Sequence, residues 1–448
     1  MRSEISIADP KLRARDGART NNWFKYYPGF SEKFARLALA SAGLGRGAWV
    51  LDPWNGSGTT TAAALALGLN AYGFDMNPVM VLAARARCLD RAEFPSLRPI
   101  AAALLRRRVS ARFTDQDDPL SAWLSPRSVG AVRGVEAAVQ GLLVDAREYA
   151  PLKGRDIDGV SGLAAFFYVA LFRTLRRILG PFLTSNPMWV KRPASPRERL
   201  RPSAEAIVTR FRAELCAMLQ EVAPLARDAR VGAKVISVGS SECLPLGAST
   251  VDLAVGSPPY CTRIDYGVAT SIELALLGYG LQGEFRELRR KLIGSAMVPK
   301  ESPRADPAWG RTCTALLSAI KEHSSKASAT YYYKNHAQYF RSIFRSIAEI
   351  SRVLKPGARC VLVVQDSFYK DVHNDLPRVC TEMAAEQGLD LLQKQDFALA
   401  QTLARINPGT NGYRSSFAAV ESVLVLGKRC CATRTYATRP RSSRQASL

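Results

Sequence analysis

The sequence predicts an α/β fold: a mostly parallel sheet with helices on both faces and an all-helical stretch inserted into it. Three observations predict it. Short apolar runs such as Val251-Asp252-Leu253-Ala254-Val255 stop abruptly at turn residues, as buried parallel strands do. Helical stretches separate these runs, in the alternation that builds βαβ units. From residue 91 to residue 230 the alternation stops, and helical patterns broken by arginine and proline take over.

Composition sets the outer bounds. The chain has 448 residues, 47% of them hydrophobic, enough for one large or two ordinary domains with a real core. Its 62 Lys and Arg against 39 Asp and Glu give a net charge of +23, which favours a polyanionic partner. The basic residues cluster at 106–108, 173–177, 191–201 and 286–291. Nine cysteines, odd in number, scattered and without a C-x-x-C pair, make neither a disulfide framework nor a zinc site. They fit a reducing cytoplasm. Met1-Arg2-Ser3-Glu4 has no apolar signal core, and the longest apolar run, 163–172, is far short of a membrane span. Neither a membrane nor a metal is expected as a partner.

Residues 1–20 are polar and basic and are expected to form a flexible arm. The aromatic cluster Trp23-Phe24-Lys25-Tyr26-Tyr27-Pro28-Gly29-Phe30 precedes a helix capped by Ser31, with Phe34, Leu37 and Ala38 on one face. Ala48-Trp49-Val50-Leu51 reads as a strand, followed by Asp52-Pro53-Trp54-Asn55-Gly56-Ser57-Gly58-Thr59-Thr60-Thr61 and an alanine-rich helix. Strand, glycine-rich turn, helix is the arrangement in which backbone N–H groups and a helix N-terminus approach a ligand closely. The next strand, Ala71-Tyr72-Gly73-Phe74, ends in Asp75, where a carboxylate can accept both hydroxyls of a ribose. Asp52 and Asp75 at two strand ends point to a nucleoside-type cofactor. No phosphate-binding lysine follows the glycines, which argues against a nucleotide triphosphatase.

In the helical stretch the candidate helices are 133–148, 163–179 and 204–219, and its arginines either track phosphates or solvate the surface. The α/β pattern resumes with Val235-Ile236-Ser237-Val238 and the turn Gly239-Ser240-Ser241-Glu242. After the next strand comes Ser257-Pro258-Pro259-Tyr260. Two prolines fix φ and lack N–H donors, so this turn is stiff and rich in carbonyl acceptors, with a hydroxyl before it and a ring after it. An exocyclic amino group needs such acceptors if its lone pair is to face an electrophile, and a flat base needs a ring to stack on. Taken alone, the same four residues are an ordinary tight loop. Residues 281–330 are charged and Ser/Pro-rich, and are expected as a second, partly mobile insertion. Tyr331-Tyr332-Tyr333-Lys334 then either stacks bases or packs at the start of a long amphipathic helix. A strand at 359–364, a helix at 375–387 and strands at 389–392 and 421–426 follow, the last antiparallel to its predecessor. The tail, 429–448, is Arg/Ser/Thr-rich and expected to be disordered.

These motifs resemble those of the S-adenosylmethionine-dependent DNA amino-methyltransferases, which methylate N4 of cytosine or N6 of adenine. Asp52-Pro53-Trp54-Asn55-Gly56-Ser57-Gly58-Thr59-Thr60 is similar to the family's cofactor loop, and Gly73-Phe74-Asp75-Met76-Asn77-Pro78 to its ribose-binding strand end. Ser257-Pro258-Pro259-Tyr260 matches the catalytic motif, and Tyr27-Pro28-Gly29-Phe30-Ser31 resembles the segment that packs on the methionine end of the cofactor. Arg352-Val353-Leu354-Lys355-Pro356-Gly357 resembles a helix-to-strand corner common among class I methyltransferases.

The resemblance implies a class I methyltransferase (Rossmann-like) fold, a seven-stranded, mostly parallel sheet with a reversed final hairpin. Residues 21–90 and 231–428 would be its catalytic domain and 91–230 a target-recognition module. It implies S-adenosyl-L-methionine as cofactor, bound by Tyr27, Phe30, Asp52, Pro53, Asn55, Gly56, Ser57, Gly58, Thr59, Thr60, Asp75 and Asn77. Tyr260 would stack on the flipped base, while Ser257 and the carbonyl of Pro258 accept from its amino group and Pro259 stiffens the turn. Two departures stand out. The strand before the catalytic one ends in Gly239-Ser240-Ser241-Glu242 where many relatives have Gly-Asp, so Ser240, Ser241 or Glu242 must meet the adenine. The cofactor motif also precedes the catalytic motif, the reverse of many relatives with Ser-Pro-Pro-Tyr. Serine at the first motif position favours cytosine N4 over adenine N6. The implied partner is double-stranded DNA, in a restriction or defence system with its cognate endonuclease. A tRNA guanosine N2-methyltransferase shares the motif order, but usually reads Asp-Pro-Pro-Tyr behind an N-terminal RNA-binding domain.

Overall fold

The computed structural model describes residues 4–11, 23–24, 29–107, 117–144, 149–152, 157–184, 186, 189–222, 232–261, 265–298, 300–301, 303–399 and 419–430. Nine strands lie among them: β1 (Trp49–Asp52), β2 (Asn70–Asp75), β3 (Lys234–Val238), β4 (Val251–Gly256), β5 (Leu354–Gln365), β6 (Ser367–Tyr369), β7 (Val372–Asn374), β8 (Leu389–Leu399) and β9 (Ala419–Lys428). Seven of them form one sheet in the order β3-β2-β1-β4-β5-β9-β8. The first five run parallel, while β9 is antiparallel to both β5 and β8. Seven strands, mostly parallel and closed by a reversed final hairpin, are the sheet that the sequence resemblance implied. β6 and β7 make a separate hairpin.

The order reverses direction between β1 and β4, which pair through Val50↔Leu253 and Leu51↔Ala254. In an open α/β sheet such a switch point leaves a crevice outside the carboxyl ends of the strands. Asp52 ends β1 there and Ser257 follows β4, so two motifs far apart in the chain become neighbours.

The helices are α1 (Glu32–Ser41), α2 (Thr59–Ala66), α3 (Pro78–Arg87), α4 (Phe94–Arg106), α5 (Pro126–Leu143), α6 (Gly162–Ile178), α7 (Ala204–Val222), α8 (Tyr266–Ala269), α9 (Ser271–Leu276), α10 (Glu284–Lys291), α11 (Arg311–Glu322), α12 (Tyr333–Val353) and α13 (Leu376–Glu386). Their starts follow local chemistry. Ser31, Asn77, Ser125, Ser161 and Asp375 each accept a backbone N–H of the first turn, three of them next to a proline at the first or second helical position. α1 and α2 cover one face of the sheet in a core with Phe34, Ala38, Val50, Val361 and Val423. α11, α12 and α13 cover the other with Leu317, Phe340, Ile347 and Met383.

A third core joins α3 to the helical stretch. Nine of the ten residues of α3 are buried, so this helix is enclosed on all sides. Its outer side packs against α6, whose Phe166, Phe167, Tyr168 and Phe172 are all fully buried. Trp23 and Phe24 dock into this core, edge-on to Phe166 and Phe172 at centroid distances of 4.9 and 6.0 Å. Four arginines of the stretch pair with carboxylates, Arg133 fully buried and Arg177 at the surface. Arg133 binds Asp118 at 2.8 Å and Glu136 at 2.6 Å, Arg173 and Arg177 bind Glu214, and Arg176 binds Glu273.

One expectation is corrected. Residues 4–11 are not a loose arm: Ile5 is buried against the α1 layer, and the carbonyl of Pro10 accepts the N–H of Ser31 at 2.8 Å. The remainder of that arm, 12–20, lies outside the described residues. Residues 281–330, expected as a second, partly mobile insertion, carry regular structure. They contain α10 and α11, whose apolar faces (Phe285, Leu288; Cys313, Leu316, Leu317, Ile320) are buried. Tyr331 and Tyr332 pack rather than project, the first donating to the Ala296 carbonyl at 2.9 Å and the second 5.0 Å from the Tyr369 ring. Arg429, expected in the tail, is tied to Asp390 at 2.7 Å, and 431–448 lie outside the described residues.

Candidate active site

A cleft of about 970 Å³, counted with its open mouth, lies at the carboxyl ends of β1, β2 and β4. Its wall brings together the loop after β1, the end of β2, the turn after β3 and the whole of Ser257-Pro258-Pro259-Tyr260. Of the residues singled out in the sequence, Phe30, Asp52, Pro53, Asn55, Gly56, Ser57, Thr59, Asp75, Asn77, Ser240 and Ser241 line it. Tyr27 lies outside the described residues.

Two others stand behind the wall. Thr60 is fully buried and donates to Asp52 Oδ2 at 2.6 Å, so it orients that carboxylate instead of facing the cleft. Gly58 begins α2 in the left-handed region at φ 82°, where a Cβ would lie 2.9 Å from that of Ala84. Glycine is what lets α2 approach α3.

Asp52 also accepts the N–H of Trp54 at 3.1 Å. Burial pushes its carboxyl up to about 7 against the opposing pull of these hydrogen bonds, with a smaller push from Asp75. Asp75 accepts the N–H of Gly56 at 2.9 Å through one oxygen and that of Asn77 at 2.8 Å through the other. Burial raises it to about 6. An ionised carboxylate has about four acceptor positions, so two remain for hydroxyls of a ligand. Two carboxylates resisting ionisation on one wall suit a ligand that is cationic and carries a vicinal diol.

The asparagines do more holding than binding. Asn55 Oδ1 accepts from Thr61 at 3.2 Å, and Asn77 caps α3 while donating to Thr270 at 2.8 Å. At the turn after β3, the Ser241 hydroxyl is engaged with Ser346 at 2.8 Å, and Ser240 Oγ accepts the N–H of Glu242 at 3.2 Å.

The tetrapeptide is clamped from three elements. The Tyr339 hydroxyl on α12 donates to the Pro259 carbonyl at 2.8 Å, and the N–H of Tyr260 donates to the Tyr266 hydroxyl of α8 at 2.8 Å. The Tyr260 hydroxyl reaches Glu421 of β9 at 3.5 Å; burial first, then Asp9, raises that carboxyl to about 7. Gly294, at φ 78°, passes so near that a Cβ would sit 2.9 Å from the Tyr260 carbonyl oxygen. With Pro259 and Tyr260 held, Ser257 is left at the cleft with no hydrogen bond to another described residue. Burial pushes the Cys261 thiol well up from its ordinary range, which leaves it a poor nucleophile.

The cleft also includes residues given no site role in the sequence: Trp54, Met76, Met80, Tyr266 and the segment from Lys291 to Ile293. Met76 directly follows Asp75, a position that could have been read from the motif. No local signal marks the segment after α10. Among the described residues no group of His, Cys, Asp and Glu is placed to hold a metal ion, and no helix is long and apolar enough to cross a membrane.

A family model described as DNA methylase matches residues 12–85, the stretch that runs from the N-terminal segment through the loop after β1 to α3. The type II methyltransferase M.BsoBI of Geobacillus stearothermophilus is 37% identical over 71 residues, 16% of this chain and 14% of that protein. The type II methyltransferase M.AvaI of Nostoc is 26% identical over 151 residues, 31% of each chain. The chain thus spans about a third or less of the length of these curated relatives. Among solved structures, a SAM-dependent methyltransferase of Methanosarcina mazei aligns at 10% identity with a TM-score of 0.29, over 91% of this chain and 100% of that one. Geranyl diphosphate methyltransferase in complex with GPP and sinefungin aligns at 9% identity with a TM-score of 0.29, over 89% and 79%.

Proposed function

We propose that this chain, which belongs to the DNA amino-methyltransferase family, transfers a methyl group to the exocyclic amine of a base in duplex DNA. Cytosine N4 is the favoured target. The observation that carries the reading is that one cleft is lined by both motifs, the Asp52 loop with Asp75 and the clamped Ser257-Pro258-Pro259-Tyr260. S-adenosylmethionine supplies a sulfonium-activated methyl group when bound. Asp75 offers two acceptor positions for the ribose hydroxyls, and Asp52 and Asp75 together offset the positive charge. Tyr260 gives the flipped base a ring to stack on, and Ser257 and the Pro258 carbonyl accept from the amine so that its lone pair is directed into the cleft. Catalysis on this reading is positioning, with hydrogen bonds that strengthen as the amine gains positive charge. Serine in place of aspartate at the motif's first position supports cytosine N4, and a place in a restriction or defence system follows the type II relatives.

Incubation with isotope-labelled S-adenosylmethionine and either duplex DNA or bulk tRNA, followed by nucleoside mass spectrometry, tests this. The expected product is N4-methylcytosine. N6-methyladenine would keep the chemistry and change the base. Label confined to tRNA would overturn the substrate class.

A further inference from the structure

A second cavity opens beside the cleft. It encloses about 780 Å³, counted with its mouth, and shares Met76, Ser240 and the wall from Lys291 to Ile293 with the cleft. Its far side is α12, through Gln338 and Arg341. The two hollows have opposite electrostatic character. The cleft holds the buried carboxylates Asp52 and Asp75, whereas the second cavity has Arg290 and Arg341 against one carboxylate, Glu242, with Lys291 on the wall they share. That carboxylate is itself drawn towards Arg345, at 3.8 Å.

Two buried polar atoms in the lining have no hydrogen-bonding partner among the described residues: Nε of Arg341 and Oε1 of Gln338. A guanidinium N–H calls for an anionic oxygen, and an amide oxygen calls for a hydroxyl or amino hydrogen. A phosphate ester attached to a nucleoside supplies both. Arg290 and Lys291 stand exposed at the mouth, so an extended strand can enter without being enclosed. The shared wall places whatever binds here next to whatever enters the cleft.

We infer that this cavity holds a phosphodiester of the nucleic-acid strand whose base enters the cleft, with Arg290 and Arg341 as its contacts. The inference rests on the DNA reading of the cleft and adds a backbone contact to it. Each phosphate neutralised by a protein cation contributes about 0.9 to the slope of log affinity against log salt.

The test is duplex affinity for the full chain and for Arg290→Gln and Arg341→Gln, measured between about 50 and 200 mM salt, with S-adenosylmethionine affinity measured in parallel. Arg290 is exposed and Arg341 half-buried, so the first variant reports even if the second disturbs α12. The expected result is weaker duplex binding, a slope shallower by about one contact and unchanged cofactor affinity. A wild-type slope in both variants would overturn the cavity assignment and leave the DNA reading standing. Absence of duplex binding by the unsubstituted chain, with cofactor binding intact, would overturn both. Adenosine monophosphate that binds the wild type and not the variants, with the duplex slope unchanged, would assign the cavity to a free nucleotide instead.

Discussion

Asp52 and Asp75 give the site its charge, and both are raised by burial, to about 7 and about 6. A carboxyl whose folded value exceeds its unfolded one keeps its proton between the two values, so ionising it in the ligand-free protein lowers stability as pH rises through that window. A cationic ligand beside it reverses the preference. Calorimetric affinity for S-adenosylmethionine should therefore increase by about tenfold between pH 5.5 and 7.5, since each unit of coupled shift is worth about a factor of ten. Asp52→Asn should flatten that rise while weakening binding overall. Tyr260→Ala should lower kcat/KM on duplex DNA about ten- to a hundredfold, the value of one stacked base, with cofactor affinity nearly intact. An unchanged rate would remove the ring from the reaction. Asp52, Asp75 and the tetrapeptide were legible because each is a short local pattern at a strand end. The holding roles of Thr60, Asn55 and Asn77 were not, because each depends on where a side chain points after the loop has closed.

At the level of elements, α12 does two jobs. One face buries Phe340, Ile343 and Ile347 against the sheet, and one hydroxyl, that of Tyr339, fixes the Pro259 carbonyl. Tyr339→Phe keeps the ring and removes the bond, a change of about 1 kcal/mol in stability. The melting temperature should move by only a few degrees, while kcat at saturating cofactor falls and the cofactor dissociation constant holds. A fall in kcat with a parallel rise in the cofactor dissociation constant would make Tyr339 a merely structural residue. The amphipathic period and the closing corner at Lys355-Pro356-Gly357 marked this helix in the sequence. Nothing marked its contact with a turn some 80 residues earlier. α10 and α11 were hidden for a related reason. Their apolar positions are interrupted by charged and polar residues, and gain meaning only once α8 and α13 stand opposite them.

Across the whole molecule, the parallel strands and the reversed hairpin could be read because buried strands are short, apolar and sharply bounded. The packing of the helical stretch could not, because periodicity says that a helix has an apolar face and not what covers it. Arg133 is the strongest tie in that packing. It is buried, binds Asp118 and Glu136, and donates to the Ala275 carbonyl of α9 at 3.0 Å. Arg133→Ala leaves two acidic groups without their cation and should destabilise the fold by about 3–5 kcal/mol, read as a lowered denaturant midpoint. A change below about 1 kcal/mol would show that the network is dispensable. The enclosure of α3 limits how this chain can be re-engineered. A donor segment cut in at residue 91 and out at residue 230 would meet an α3 shaped for other side chains, so a chimera should fold only if its donor also brings residues 78–87.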